Sequence, residues 1–247
     1  MAGHSKWANI KHRKAAVDNK RGKLFTKLIK EISIAAKEGG EDPASNSRLR
    51  LAIQNARGAN VPKDNIERAV KKGSGNDGTD YTEITYEGYG PSGVAVYVEC
   101  MTDNLNRTLQ NVRSFFTKAG GSLSTKGSLE FIFDRKGIFT ILKPEGFDED
   151  TFTLEMIDAG AHEVEVEDGY ITVVSAMEDF GNIQKALDKL AVNVENAELR
   201  RIPTTFVKVD NDVFYKINKL IDNLEDDDDV QKVYHNLEPT EEQMEME

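Results

Sequence analysis

Between Gly137 and Ile202 the apolar residues change their spacing in an order that leaves few folds open. Alternation at period two marks a strand, and recurrence at period 3.6 marks a helix. Ile138–Leu142 reads as a strand, and 148–159 as a helix closed by Gly160. Strands at Glu163–Val166 and Tyr170–Val174 form a hairpin across Asp168-Gly169. A helix with Phe180, Ile183, Leu187 and Leu190 inward follows, and then a strand over Ala197–Ile202. The order is βαββαβ, the ferredoxin-like arrangement.

The flanking segments look like two parts of one further domain. Strands are expected at Thr82–Tyr86, Val94–Cys100 and Leu129–Phe133, with a helix over Leu105–Ala119. Residues 210–236 offer a helix (Val213, Ile217, Leu220, Ile221, Leu224) and a strand at Val230–Tyr234, too little to fold alone. The economical reading returns them to the first set of strands and makes the βαββαβ unit an insertion. The expected class is α+β multidomain. Its parts are a helical module at 1–75, a discontinuous middle domain at 79–134 plus 208–237, an inserted domain at 135–207, and a disordered acidic tail at 238–247.

The helical module has a strong 3.6-residue period from Lys20 to Lys37. Leu24, Phe25, Leu28, Ile29, Ile32, Ala35 and Ala36 share one face; Lys20, Lys23, Lys27, Lys30 and Lys37 share the other, with Ile34 out of place. A second helix runs from a Ser45/Asn46/Ser47 cap to Arg57, with Arg48, Arg50 and Arg57 outward, and Pro62 opens a third. Lys71 to Gly78 is glycine-rich and reads as a linker. Residues 1–75 hold 17 Lys/Arg against 7 Asp/Glu, whereas the remainder holds 15 against 36, so the net charge of −11 conceals a basic head on an acidic body. Lys6, Trp7, Lys11, His12, Arg13 and Lys14 interleave an aromatic ring with cations, as contact with a nucleic-acid backbone requires. With Lys20, Arg21, Lys23, Lys27, Lys30, Arg48, Arg50 and Arg57 they form the expected nucleic-acid-binding set. The third helix offers few base-reading side chains: Lys63, Asn65 and Arg68.

Several classes are disfavoured. No run approaches 18 apolar residues, no apolar signal core follows Met1, and Cys100 is the one cysteine, so a cytoplasmic protein without disulfides is expected. Cys100 lies in an apolar run and reads as a buried small hydrophobe. The expected aromatics of an RNA-recognition motif are missing from Lys126–Phe133. Gly88-Tyr89-Gly90-Pro91-Ser92-Gly93 lacks the Lys-Ser/Thr ending of a phosphate loop and reads as a turn. His4, His12, His162 and His235 have no metal-ligand spacing. No catalytic residue, metal, cofactor or small-molecule substrate is expected. Glu225–Asp229 reads as a solvated acidic turn that competes with phosphate for the basic module. Asp103 is expected to cap the helix after it and, with Arg107 and Arg113, to offer a second contact surface.

Met1–Trp7, Ile10–Ala16, Lys23–Ile29, Tyr86-Glu87-Gly88-Tyr89-Gly90-Pro91, Thr102–Thr108 and Leu224–Val230 together resemble the YebC/PmpR family over essentially the whole chain. Ser92 departs from it, standing where a second glycine is common. The resemblance implies three domains with the last inserted in the middle one, and no catalytic residue set. It also implies a regulator of gene expression, with two forms of action open. One is a DNA-binding transcriptional regulator. The other is a ribosome-associated translation factor that binds ribosomal RNA and relieves stalling at proline-rich nascent sequences, as the mitochondrial branch activates translation of cytochrome oxidase subunit I.

Overall fold

The computed structural model describes residues 21–75, 80–167 and 169–244. The chain divides into two units, Met1–Gly78 and Thr79–Glu247.

The first unit contains α1 (Arg21–Gly39), α2 (Ser47–Gly58) and α3 (Lys63–Ser74). Asn46 caps α2 by accepting from the Leu49 amide, and its own amide nitrogen donates to the carbonyls of Ala35 and Gly40 at 2.7 and 2.8 Å. One buried side chain thus satisfies an orphan donor of α2 and orphan acceptors at the end of α1. Ile32, Ala35, Leu49, Ala52, Ala56, Ile66 and Ala69 form the core. Ile34, out of place on the helical plot, is buried as well. Helix α3 continues through Lys71–Ser74, where a linker was expected. Gly73 allows this, since a Cβ there would stand 2.1 Å from the Ser33 carbonyl oxygen, and only a glycine lets α1 and α3 approach so closely.

The second unit holds two four-stranded antiparallel sheets. The first is built from β1 (Thr82–Tyr89), β2 (Ala95–Thr102), β3 (Ser122–Leu123) and β8 (Val230–His235) in the order β3-β1-β2-β8. Helices α4 (Leu105–Ala119) and α7 (Asn211–Asp226) cover one face, where Val96, Val98, Phe116, Ile217 and Leu224 meet. The returning C-terminal helix and strand therefore complete this sheet. The β1–β2 connection is a 3₁₀ turn at Pro91–Gly93, in which Ser92 adopts φ +57°. The glycines of the Tyr86–Pro91 motif serve packing. A Cβ on Gly88 would meet the Phe116 ring at 2.6 Å, and one on Gly90 the Ile217 side chain at 2.5 Å.

The second sheet comprises β4 (Phe133–Leu142), β5 (Ala161–Glu167), β6 (Tyr170–Ala176) and β7 (Val194–Pro203) in the order β5-β6-β4-β7. With α5 (Glu149–Asp158) and α6 (Phe180–Leu190) it is the expected βαββαβ unit. Phe139 stacks on Phe180 at 4.6 Å and fixes α6 against the sheet. The strand expected at Leu129–Phe133 is instead a turn followed by the long β4. The buried Glu87 carboxylate accepts from the Gly127 and Leu129 amides, both at 2.7 Å, and this holds the segment in a bend. The tail expected to be disordered forms α8 (Glu241–Met244), tied down by buried Gln243, which donates to the Val209 carbonyl and to Asn211. Residues 245–247 lie outside the described residues.

A charged joint fastens the two sheets. Lys232 of β8 reaches Glu198 of β7 at 2.5 Å, and Arg201 of β7 bonds Glu99 of β2 at 3.2 Å while lying 3.9 Å from the centre of the Tyr97 ring. Burial alone would raise the Glu198 carboxyl. The Lys232 and Arg200 charges, with hydrogen bonds from Lys232 and Asn196, outweigh it and hold the group down to about 2. Burial opposes the Lys232 charge, but Glu198 prevails and raises its affinity for the proton. The Tyr234 phenol at the same joint is pushed upward by burial first, and its hydroxyl has no hydrogen-bond partner among the described residues.

Candidate nucleic-acid interface

Within the helical unit the expected contact residues fall into three groups. Lys6, Trp7, Lys11, His12, Arg13, Lys14 and Lys20 lie outside the described residues, and Arg21 opens α1. Lys23 is exposed on α1, while Lys27 and Lys30 are half-buried on the same helix. Arg50 and Arg57 are exposed on α2, and their seven-residue separation sets them on one stripe about 10 Å apart.

Arg48 is a correction. Its guanidinium is bidentate on Glu31, at 2.8 and 3.2 Å, and reaches Glu38 at 2.7 Å. It is half-buried and bridges α2 to α1, so it belongs to the scaffold. Lys71 and Lys72, expected in a linker, are exposed cations in the last turn of α3. The signal was present, because Ile66, Ala69, Val70 and Gly73 keep helical spacing through them. On α3 the candidate base-reading groups are engaged. Lys63 pairs with Glu67 at 3.6 Å, and Arg68 donates to Asn65 and to the Asp64 carbonyl.

In the second unit the expected contact trio separates. Asn104 is the cap of α4, its side chain accepting from the Arg107 amide, so the capping role read for Asp103 is corrected. Asn104 takes the role because it stands directly before the helix in the extended N-cap conformation, whereas Asp103 lies one residue further out. Arg107 grips Asp229 through two nitrogens at 2.8 to 3.0 Å and Asp103 at 2.7 Å. Both carboxylates raise its affinity for the proton, with Asp229 first. Thr108 also donates to Asp229, and Asn111 to Asp227. The acidic run is therefore not a uniformly solvated turn, since Asp229 is a buried anchor between α4 and β8, whereas Asp226 and Asp228 are exposed. Asp103 and Arg107 are committed internally, and Arg113 stands apart on the exposed side of α4. It borders a cleft of about 690 Å³ bounded by α4, Tyr86 and the 122–125 segment.

The open face of the second sheet carries Glu165, Thr172, Thr140 and Asn196 in one row, beside Glu163 and Glu167 on the edge strand. An RNA-recognition motif would present aromatic rings there. Among the described residues no group of His, Cys, Asp and Glu could hold a metal, and no helix is long and apolar enough to cross a membrane.

The chain matches two family models, the TACO1/YebC protein N-terminal domain over residues 5–76 and the TACO1/YebC second and third domain over residues 81–237. A "probable transcriptional regulatory protein" of Amoebophilus asiaticus is 55% identical, the match covering 96% of this chain and 98% of that one. The protein of Bacillus subtilis called probable transcriptional regulatory protein YrbC is 52% identical over 96% and 99%. The crystal structure of a conserved hypothetical protein from Aquifex aeolicus is similar with a TM-score of 0.81 and 42% identity, covering 96% of this chain and 98% of that one.

Proposed function

The chain belongs to the TACO1/YebC family, and on that premise we propose that it is a non-enzymatic regulator of gene expression that grips nucleic acid through its N-terminal helical module. The carrying observation is the charge division, 17 Lys/Arg against 7 Asp/Glu within residues 1–75 on a body that repels polyanions. Backbone neutralisation by such a module supplies affinity without demanding a particular sequence. The names of the relatives favour a DNA target and a role in transcription.

A second reading, contact with ribosomal RNA during translation, is favoured by α3. Its Lys63 and Arg68 are engaged by neighbouring groups of the same helix, so a docked α3 has little with which to read base edges. Recognition by backbone and shape suits structured RNA at least as well as an operator.

The test measures binding of the full chain to duplex DNA and to structured RNA by fluorescence anisotropy across a salt series. Replacing both Arg50 and Arg57 with Gln should lower the salt slope on duplex DNA by about 1.8, roughly 0.9 for each lost phosphate contact. An unchanged slope and affinity defeat the assignment of these residues. Ribosome co-sedimentation with crosslink mapping separates the targets, because crosslinks confined to promoter DNA defeat the translation reading and crosslinks confined to ribosomal RNA defeat the transcription reading.

A further inference from the structure

We propose that the cleft between α4 and the β1–β3 edge is a second nucleic-acid contact, seating a backbone phosphate against Arg113. The inference rests on the nucleic-acid reading above and adds to it a site in the acidic unit.

Arg113 differs from most arginines around it. In this unit Arg107 is held by Asp229 and Asp103, Arg200 lies 3.5 Å from Glu198, and Arg201 is bonded to Glu99. Arg113 is exposed and forms no ion pair among the described residues. Its guanidinium carries several N–H donors with fixed geometry, the match for a phosphate oxygen pair. The cleft it borders has one cation and no carboxylate in its lining, although the unit as a whole is strongly acidic.

The other walls fit the same ligand. Ser122, Ser124 and Thr125 place three hydroxyl groups along one side, exposed and without protein hydrogen-bond partners among the described residues. Thr117 gives its hydroxyl proton to the Arg113 carbonyl and so leaves only acceptor capacity, which makes the loop hydroxyls the available donors. Tyr86 supplies a half-buried ring beside them, a surface on which a base or sugar can rest.

The loop bearing the hydroxyls is prepared in advance. Strand alternation sends Tyr86 into the cleft and Glu87 behind it. There Glu87 accepts from the Gly127 and Leu129 amides and, at 3.4 Å, from the Ser128 hydroxyl, while its backbone carbonyl accepts from the Ser124 amide. A prefixed wall lowers the ordering cost of binding. An acidic peptide is the competing occupant. The cleft offers it a single cation, whereas a phosphodiester uses the guanidinium and several hydroxyls at once.

The experiment uses the full chain with single-stranded and structured RNA of random sequence. Arg113→Gln should lower the salt slope by about 0.7 and weaken binding roughly fourfold at 0.15 M salt and eightfold at 0.05 M salt. Arg113→Lys should retain the slope, because the charge survives. The melting temperature of both variants should match the parent, since the residue is exposed. As an independent readout, saturating RNA should shield Arg113 from phenylglyoxal, as judged by peptide mass mapping. If Arg113→Gln leaves slope and affinity unchanged while the Arg50/Arg57 variant lowers them, this site is refuted and the helical module stands. If only Arg113→Gln acts, the cleft stands and the module assignment falls. If polyglutamate shields Arg113 and RNA does not, the occupant is an acidic protein segment and the proposal is overturned.

Discussion

Replacing Glu198 with Gln removes the carboxylate against which Lys232 and Arg200 are set at the joint between the sheets. The carboxyl is held down to about 2 in the folded chain, against 4.5 ordinarily. At about 1.36 kcal/mol for each tenfold change in proton affinity, that difference corresponds to at most about 3.4 kcal/mol at neutral pH. The Lys232 side chain is 38% exposed, so water screens part of the attraction. We therefore expect about 2 kcal/mol. A depressed carboxyl stabilises the fold above its unfolded value, so the contribution is complete above pH 4.5 and is lost as pH falls towards 2. Urea unfolding followed by circular dichroism should place Glu198→Gln about 2 kcal/mol below the parent at pH 7 and within about 1 kcal/mol of it at pH 3. Lys232→Met and the double variant complete a cycle, whose coupling energy should vanish over the same pH range. An equal gap at both pH values, or a Gln variant as stable as the parent at pH 7, would mean that desolvation cancels the attraction and would refute the reasoning.

Other perturbations address single features. Ser92→Gly relieves a left-handed backbone at φ +57° and should raise stability by about 1 kcal/mol, read as a higher urea midpoint; no gain would show that the turn is not strained. Gly73→Ala forces a methyl group against the Ser33 carbonyl and should cost the helical unit about 2 kcal/mol, seen as an earlier loss of helical signal on heating. Asp226→Asn with Asp228→Asn, leaving the anchoring Asp229 intact, should tighten binding to random nucleic acid at low salt if the acidic run competes with phosphate; unchanged affinity would end that idea.

The βαββαβ unit was legible from the β-branched and aromatic runs at Ile138–Leu142 and Tyr170–Val174 and from the apolar stripe of α6, whereas α5, with Leu154 and Ile157 exposed, was marked mainly by Gly160 at its end. The Leu105–Ala119 helix could be read residue for residue. The errors came where a single long-range contact overrides local pattern. Leu129–Phe133 has the composition of a strand, but Glu87, distant in sequence, captures the Leu129 amide at its start and the Gly127 amide just before it. Arg48 and Arg107 look like surface cations on a helical plot, and only the fold brings Glu31 and Asp229 to them. Asp229 is chemically identical to its neighbours in the acidic run and differs only in where β8 begins. The Arg113 cleft had no sequence signal beyond the cation itself, since its hydroxyls become a wall only when β3 pairs with β1.

The place where the inserted unit leaves and rejoins the first sheet bears on how the chain is made. Phe133 pairs with Pro203, and the Thr204 amide donates to the Ile132 carbonyl at 2.8 Å. A nascent chain emerging N-terminus first presents β2 with an unpaired edge until β8 arrives. Closing the stretch of about 70 residues between Phe133 and Pro203 as an unstructured loop would cost about 4 kcal/mol in chain entropy. An insertion that has already folded brings its two stems within one hydrogen bond, so that cost is met before the last strand is synthesised. An insertion folded first would thus act as a clasp, leaving residues 204–235 to fold back along a path already shortened for them.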